Sequence, residues 1–249
     1  MSGARRTGDG RGGPGRVLSG LAVAVGCVLF LGGFIWGAVL YQPYTVPTDS
    51  MAPTIAQGSR VLAERIDGDE VRRGDVVVFK DKAWGDQPMV KRVVGVGGDR
   101  VECCDKQGRL TVDGEPIEEP YLPEGPASPT TFSATVPKDK LFLLGDHRND
   151  SLDSRKHLTD SARGAVARDA VSARVDATAW PMDNFGMLEK PTGFTELPGG
   201  ISEPGPLRPL TIAVLAGAVL ILGGAAYGPI ARVAARGRKP RRTPEAVSG

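Results

Sequence analysis

Three short polar stretches of this 249-residue chain hold residues able to do covalent chemistry. The first, Val46-Pro-Thr-Asp-Ser-Met-Ala-Pro-Thr54, offers Ser50 between Pro47 and Pro53, whose rings limit the segment's freedom. The second is Met89-Val-Lys-Arg-Val-Val94. Strand alternation there puts Met89, Lys91 and Val93 on one face and Val90, Arg92 and Val94 on the other. One of two adjacent cations must then share a largely apolar face. A lysine held there is disfavoured in its charged form, so its pKa falls from about 10.4 toward neutrality. A neutral amine can act as general base for a serine nucleophile. Arg92 cannot, because guanidinium stays protonated. The third stretch, Gly145 to Arg155, follows the apolar run Leu141 to Leu144 and places Asp146, Arg148, Asp153 and Arg155 close together with Ser151. Each stretch alone has a plainer reading: a connector whose serine faces water, a lysine snorkelling at a sheet edge, a solvated loop.

The elements that must position these residues follow from charge and hydropathy. Residues 1–16 carry a net charge of +3 and residues 232–249 a net charge of +5, whereas 42–208 carry −6. A folded body of that sign argues against a nucleic-acid partner. The basic ends flank two uncharged stretches, 17–41 and 209–231, of 25 and 23 residues. Each exceeds the roughly 20 residues a helix needs to cross a bilayer. The first run is too long for a cleavable signal peptide, and it ends in Val39-Leu-Tyr-Gln42 rather than a small-residue cleavage site. The positive-inside rule places both basic ends, 1–16 and 232–249, in the cytoplasm and residues 42–208 on the far side of the membrane.

Between the spans, mostly short β-branched runs are broken by Gly-Asp and Asp-Gly turns. These runs cover 60–66, 74–79, 89–96, 99–102, 110–112, 130–136, 141–144 and 164–179. The expected fold is mainly β, an antiparallel domain over 42–181 flanked by two transmembrane helices. Residues 182–208 gather Pro191, Pro198, Gly199, Gly200, Pro204, Gly205 and Pro206 and read as a linker. Cys103 and Cys104 are adjacent, so no ordinary disulfide staple is implied, and His147 and His157 complete no metal-ligand spacing with them. No metal and no cofactor is expected.

In this order the three stretches resemble the boxes of the bacterial type I signal peptidases, membrane-bound Ser-Lys proteases that remove signal peptides. Pro47 to Thr54 looks like the family's Ser-Met nucleophile box, Val90 to Asp99 its lysine box, and Gly145 to Arg155 its Gly-Asp…Asp-Ser-Arg box. Gly74 to Phe79 and Trp180-Pro181 also fit, so the likeness covers roughly residues 40–181. The resemblance implies Ser50 as nucleophile and Lys91 as general base. It implies an oxyanion hole made by the Ser50 N–H and the Thr48 hydroxyl, with Ser151 orienting the amine. Arg92, Asp146, Arg148, Asp153 and Arg155 would form a structural polar network, and Met51 would help line pockets for small side chains at the −1 and −3 positions. Implied partners are the signal peptides of exported preproteins, the lipid bilayer (met through an apolar patch near Met51) and proximity to the secretion translocon.

Departures from the family pattern are visible too. His147 and Asp150 stand where Asn is commoner, and His147 invites a Ser-His reading against the family's Ser-Lys precedent. Lys156 to Arg163 is longer and more polar than usual. A self-cleaving Ser-Lys repressor would need a DNA-binding head, and a sortase-like enzyme a Cys-His-Arg set. The non-enzymatic alternative is an inactive anchored binding or assembly module of the same fold.

Overall fold

A computed structural model of the protein describes residues 14–237; the basic ends at 1–13 and 238–249, expected in the cytoplasm, lie outside the described residues. The chain divides into two units, a helical pair and a β domain spanning Val39–Gly205.

In the helical unit, α1 covers Pro14–Leu40 and α2 covers Leu207–Gly237. Their segments Val17–Leu40 and Leu207–Tyr227 are each long and apolar enough to cross a membrane. The two helices touch through small residues seven apart. Ser19 Oγ donates to the Gly224 carbonyl at 2.8 Å, and a Cβ placed on Gly26 would come within 2.8 Å of the Gly217 carbonyl. Glycine and serine at such positions let backbones approach closely, the usual device where lipid supplies no hydrophobic drive for association.

The β domain is antiparallel throughout. It opens with β1 (Tyr41–Thr45), β2 (Arg60–Glu64), β3 (Val76–Lys80) and β4 (Pro88–Val96). A smaller excursion follows, made of β5 (Arg100–Cys103), β6 (Leu110–Val112), β7 (Glu115–Pro116) and β8 (Phe132–Thr135). The chain then returns through β9 (Lys140–Leu144), β10 (Val166–Ala167), β11 (Val171–Trp180) and β12 (Gly186–Met187). The larger sheet runs β1-β2-β11-β3-β4-β9-β10 with β12 added on β11, and the smaller β7-β6-β5-β8. Val77 and Phe79 of β3 enter one core while Val76 and Val78 enter another, and Leu141/Leu143 and Phe142/Leu144 of β9 divide likewise. Cover on both faces explains why these strands read as continuous apolar runs rather than alternating ones.

Two features depart from the sequence-based expectations. β1 falls where no strand is predicted, directly after the apolar helix and carrying Pro43; as an edge strand it tolerates proline. The predicted run 164–179 is two strands, separated by the 3-10 turn Arg168–Ala170. Cys103 and Cys104, whose redox state the residues leave open, are joined to each other at the end of β5, a link between neighbours that staples no distant segments.

Residues 182–208 do not form a free linker. Phe194 is fully buried and Leu197 nearly so, both in the core shared with Val101, Leu110 and Phe142. The Pro198 carbonyl accepts from Arg73 Nη1 at 2.7 Å, and Ser202 Oγ donates to Asp75 at 2.6 Å. Lys190 Nζ donates to the carbonyls of Ser202 and Glu203. Isolated apolar anchors among Pro and Gly thus tie this strap across both sheets. Phe194→Ala should lower stability by roughly 3–5 kcal/mol, the usual loss for a buried phenylalanine. In a domain of this size that is a fall in Tm of about 10 °C. Thermal unfolding in detergent checks it; a Tm within 2–3 °C of the wild type would show that the strap is not part of the core.

Candidate active site

Ser50 sits in a tight turn rather than in a flexible connector. Ala52 N donates to the Asp49 carbonyl at 2.8 Å and Ile55 N to the Met51 carbonyl at 2.9 Å. Val46 closes the base of the loop by bonding Ser59 and Gly58 through its backbone. Met51 and Ile55 are fully buried and pin the turn to the core. The Met51 side chain therefore lies under the turn and is not among the residues that wall the cavity beside Ser50. Large exposed apolar side chains on the domain are instead Leu152, Trp180, Met182, Phe185 and Met187.

Strand β4 brings the second stretch to this turn. Lys91 pairs with Val77, Arg92 pairs with Val76, and both cations are buried. Lys91 Nζ donates to Ser50 Oγ at 2.7 Å and to its neighbour's carbonyl, Val90 O, at 3.1 Å. Among the described residues it forms no ion pair. Burial pushes its pKa from 10.5 down to about 8, against an upward pull from Asp153 and Asp146. Thr48 Oγ1 also donates to Ser50 Oγ, at 3.2 Å.

The neighbouring cation has the opposite fate. Arg92 Nε and Nη2 bind both oxygens of Asp146 at 2.9 and 2.7 Å, Nη1 donates to the Gly74 carbonyl, and the guanidinium lies 3.8 Å over the Tyr121 ring. These partners raise its pKa despite full burial. Asp146 also accepts from Thr54 Oγ1 at 2.6 Å, which couples the Ser50 turn to β4 through one carboxylate.

The third stretch is a packed loop. Gly145 N donates to Asp153, which holds Arg155 at 2.9 and 2.6 Å. Arg148 binds Glu119 at 3.0 and 2.6 Å and reaches the carbonyls of Gly145 and Ala127. Gly145 must be glycine: a Cβ there would fall on Ser151 Oγ and on the Ser50 carbonyl. Ser151 is thus beside the site, yet it does not bond the Lys91 amine; its buried hydroxyl has no hydrogen-bond partner among the described residues. His147 Nδ1 lies 3.2 Å from Asp49 Oδ2, turned to that carboxylate.

Sequence reasoning missed Thr54, Glu119 and Tyr121. Glu119 accepts from the Tyr121 hydroxyl as well as from Arg148, so the Glu119-Pro-Tyr121 segment closes the network from the smaller sheet's loop. One signal was available: with Asp146 and Asp153 facing Arg92 and Arg155, Arg148 needed an acid from elsewhere.

A cavity of roughly 120 Å³ opens beside Ser50 and Lys91, walled by Tyr44, Val46, Val78, Pro88 and Val90. An apolar cavity of about 150 Å³ just admits a benzene ring, so this one suits small side chains. Among the described residues no group of three or more His, Cys, Asp or Glu is placed to hold a metal ion. A serine hydroxyl against a buried, weakly basic amine is equipped for nucleophilic attack with proton removal.

The model of the signal peptidase family, peptidase S26, matches residues 18–180. The chain belongs to this family. It is similar to Signal peptidase IB of Staphylococcus aureus (strain Mu50 / ATCC 700699), with 34% identity over 184 residues, covering 66% of this chain and 90% of that one. It is also 31% identical over 158 residues to Signal peptidase I of Leptolyngbya laminosa, covering 60% and 73% of the two chains. Among solved structures, a signal peptidase I from Enterococcus faecalis V583 aligns at 26% identity and a TM-score of 0.34, covering 41% of this chain and 94% of that one. Family membership makes the chain a homologue of membrane-bound serine peptidases, with signal peptides as the substrates the family implies.

Proposed function

We propose that this protein is a membrane-bound serine endopeptidase that removes N-terminal signal peptides from exported preproteins, cutting after small residues at −1 and −3. The observation that carries this reading is the 2.7 Å contact between Lys91 Nζ and Ser50 Oγ, made where burial brings the amine's pKa to about 8. Neutral Lys91 takes the hydroxyl proton as Ser50 Oγ attacks the scissile carbonyl. The Ser50 N–H and the Thr48 hydroxyl receive the oxyanion. The ammonium then gives its proton to the departing amine of the mature protein, and the neutral amine activates the water that releases the signal peptide. Ser151 sits beside this pair as the candidate group to steady the amine. The cavity beside Ser50 takes the −1 side chain, and its size supports the small-residue rule.

The topology of this reading puts both termini in the cytoplasm and the β domain outside. Ser50 lies nine residues past Tyr41, so at most ~30 Å of extended chain separates it from the first span. Enzyme and precursor then meet at one surface, which raises their effective concentration.

The test is cleavage of a purified preprotein by the full chain in detergent. Wild type should release a mature protein with the expected N-terminus, and Ser50→Ala should lose at least about 10³-fold in kcat/KM with its fold intact. A wild type that leaves every preprotein whole would favour the anchored binding module instead.

A further inference from the structure

Thr54 stands at the far end of the turn that carries Ser50. Its Oγ1 donates to Asp146 Oδ2 at 2.6 Å, and the next residue, Ile55, donates its N–H to the Met51 carbonyl at 2.9 Å. Other holds on the turn point elsewhere. Met51 and Ile55 pin it to the core that contains Val61 and Val76, and the His147 N–H holds the Ser50 carbonyl at 3.1 Å. The Thr54 hydroxyl reaches toward β4. Asp146, which accepts from it, binds Arg92 with both oxygens at 2.9 and 2.7 Å, and Arg92 is the neighbour of Lys91.

Each link of this path is stiff. The Arg92 and Asp146 side chains are fully buried, and the guanidinium is fixed further by the Gly74 carbonyl at 2.8 Å and the Tyr121 ring at 3.8 Å. Nucleophile and base are therefore joined twice. One connection is the 2.7 Å contact of Lys91 Nζ with Ser50 Oγ. The other runs along the turn to Thr54, across Asp146 to Arg92, and one residue along β4 to Lys91. The direct contact is consumed when Ser50 Oγ gives up its proton and bonds the scissile carbonyl. The longer path takes no part in that step and keeps its geometry throughout.

We infer that Thr54 is a positioning residue for the peptidase reaction, its hydroxyl setting, through Asp146 and Arg92, where the Ser50 turn meets Lys91. The inference rests on the Ser50–Lys91 reading above. Valine keeps the branched shape of threonine and lacks the hydroxyl. Asp146 retains both bonds to Arg92 in that variant, so no buried charge is orphaned and the lost hydrogen bond is isolated. A misplacement of about 1 Å can cost on the order of 10²-fold in rate, and one loosened tether should cost about tenfold.

The experiment follows preprotein cleavage by the full chain in detergent, from pH 6 to 10, for wild type, Thr54→Val and Thr54→Ser. Thr54→Val should lower kcat about tenfold with KM changed less than about twofold. Thr54→Ser, which restores the donor, should come within about threefold of wild type. The midpoint of kcat/KM against pH should stay near 8 in Thr54→Val, because burial of Lys91 sets it and the turn still covers the amine. A midpoint moved toward 10.5 would mean that the substitution merely admits water to the site, and it would overturn the inference. A loss residing in KM, or a Thr54→Ser as slow as Thr54→Val, would overturn it too. Should Thr54→Val not fold, Thr54→Ser and Thr54→Ala decide, since they differ by one oxygen atom: the serine variant should be about tenfold faster, and equal rates refute the inference. If wild type cleaves and Thr54→Val matches it, this inference fails alone. If wild type does not cleave, or Ser50→Ala cleaves as fast as wild type, the Ser50–Lys91 reading fails and takes the inference with it.

Discussion

Lys91→Met should abolish preprotein cleavage, by at least about 10³-fold, and at the same time make the folded domain harder to unfold at pH 7. Both effects come from one cause. The amine is buried among apolar groups without a paired carboxylate, and its pKa is held at about 8 where an exposed lysine has 10.5. Below pH 8 the native state carries a proton that the unfolded chain binds more tightly, which lowers stability by about 3 kcal/mol at 1.36 kcal/mol per pKa unit. Between pH 8 and 10.5 the unfolded chain holds the extra proton, so stability rises with pH through that window and the penalty is gone above it. Methionine removes the penalty at pH 7 and the activity with it.

Activity should follow the same titration. Only neutral Lys91 can accept the Ser50 proton, so kcat/KM should climb about tenfold per pH unit below 8 and level off above it. A profile flat from pH 6 to 9, or a Lys91→Met variant that still cuts, would remove Lys91 from the mechanism. A variant less stable than wild type at pH 7 would show that the amine is better solvated than its burial suggests.

The second large effect is expected at Asp146. Asp146→Ala leaves the Arg92 guanidinium buried with its two principal acceptors gone and frees the Thr54 hydroxyl from its partner. Breaking a buried pair by removing one member costs about 3–5 kcal/mol, a third or more of what holds a typical domain together. The loss should appear as a lower Tm in detergent. Arg92→Met in the same chain should restore part of the stability, since a buried apolar side chain carries no uncompensated charge. Activity should not return with it, because Thr54 would still lack the carboxylate that ties the Ser50 turn to β4. Equal Tm values for wild type and Asp146→Ala would mean that Arg92 finds other acceptors.

Much of this was legible in the residues. Two uncharged runs between basic flanks marked the helices, and β-branched runs between Gly-Asp turns marked the sheets. The paired cations at 91 and 92 were conspicuous because alternation forces one of them inward; burial of both became visible only with Asp146 and Tyr121 in place. What stayed hidden depends on partners distant in the chain. Glu119 meets Arg148 across 29 residues, and no local pattern announces it. The family resemblance implied a pocket role for Met51, but its packing into the core depends on the turn's own hydrogen bonds, which the residues alone do not display. Proline and glycine content disguised the strap, since composition averages away the two or three side chains that decide its packing.

The strap also imposes a schedule on synthesis. The family match ends at residue 180, yet Phe194, Leu197 and Ser202 complete the core. A ribosome adding about 5–20 residues per second takes roughly one to four seconds to travel from Trp180 to Ser202. Throughout that interval Ser50 and Lys91 already exist in the nascent chain, but the domain that aligns them lacks its last wall. The β domain therefore closes only after residues lying just before the second apolar helix have been made, well beyond the last residue the family match covers.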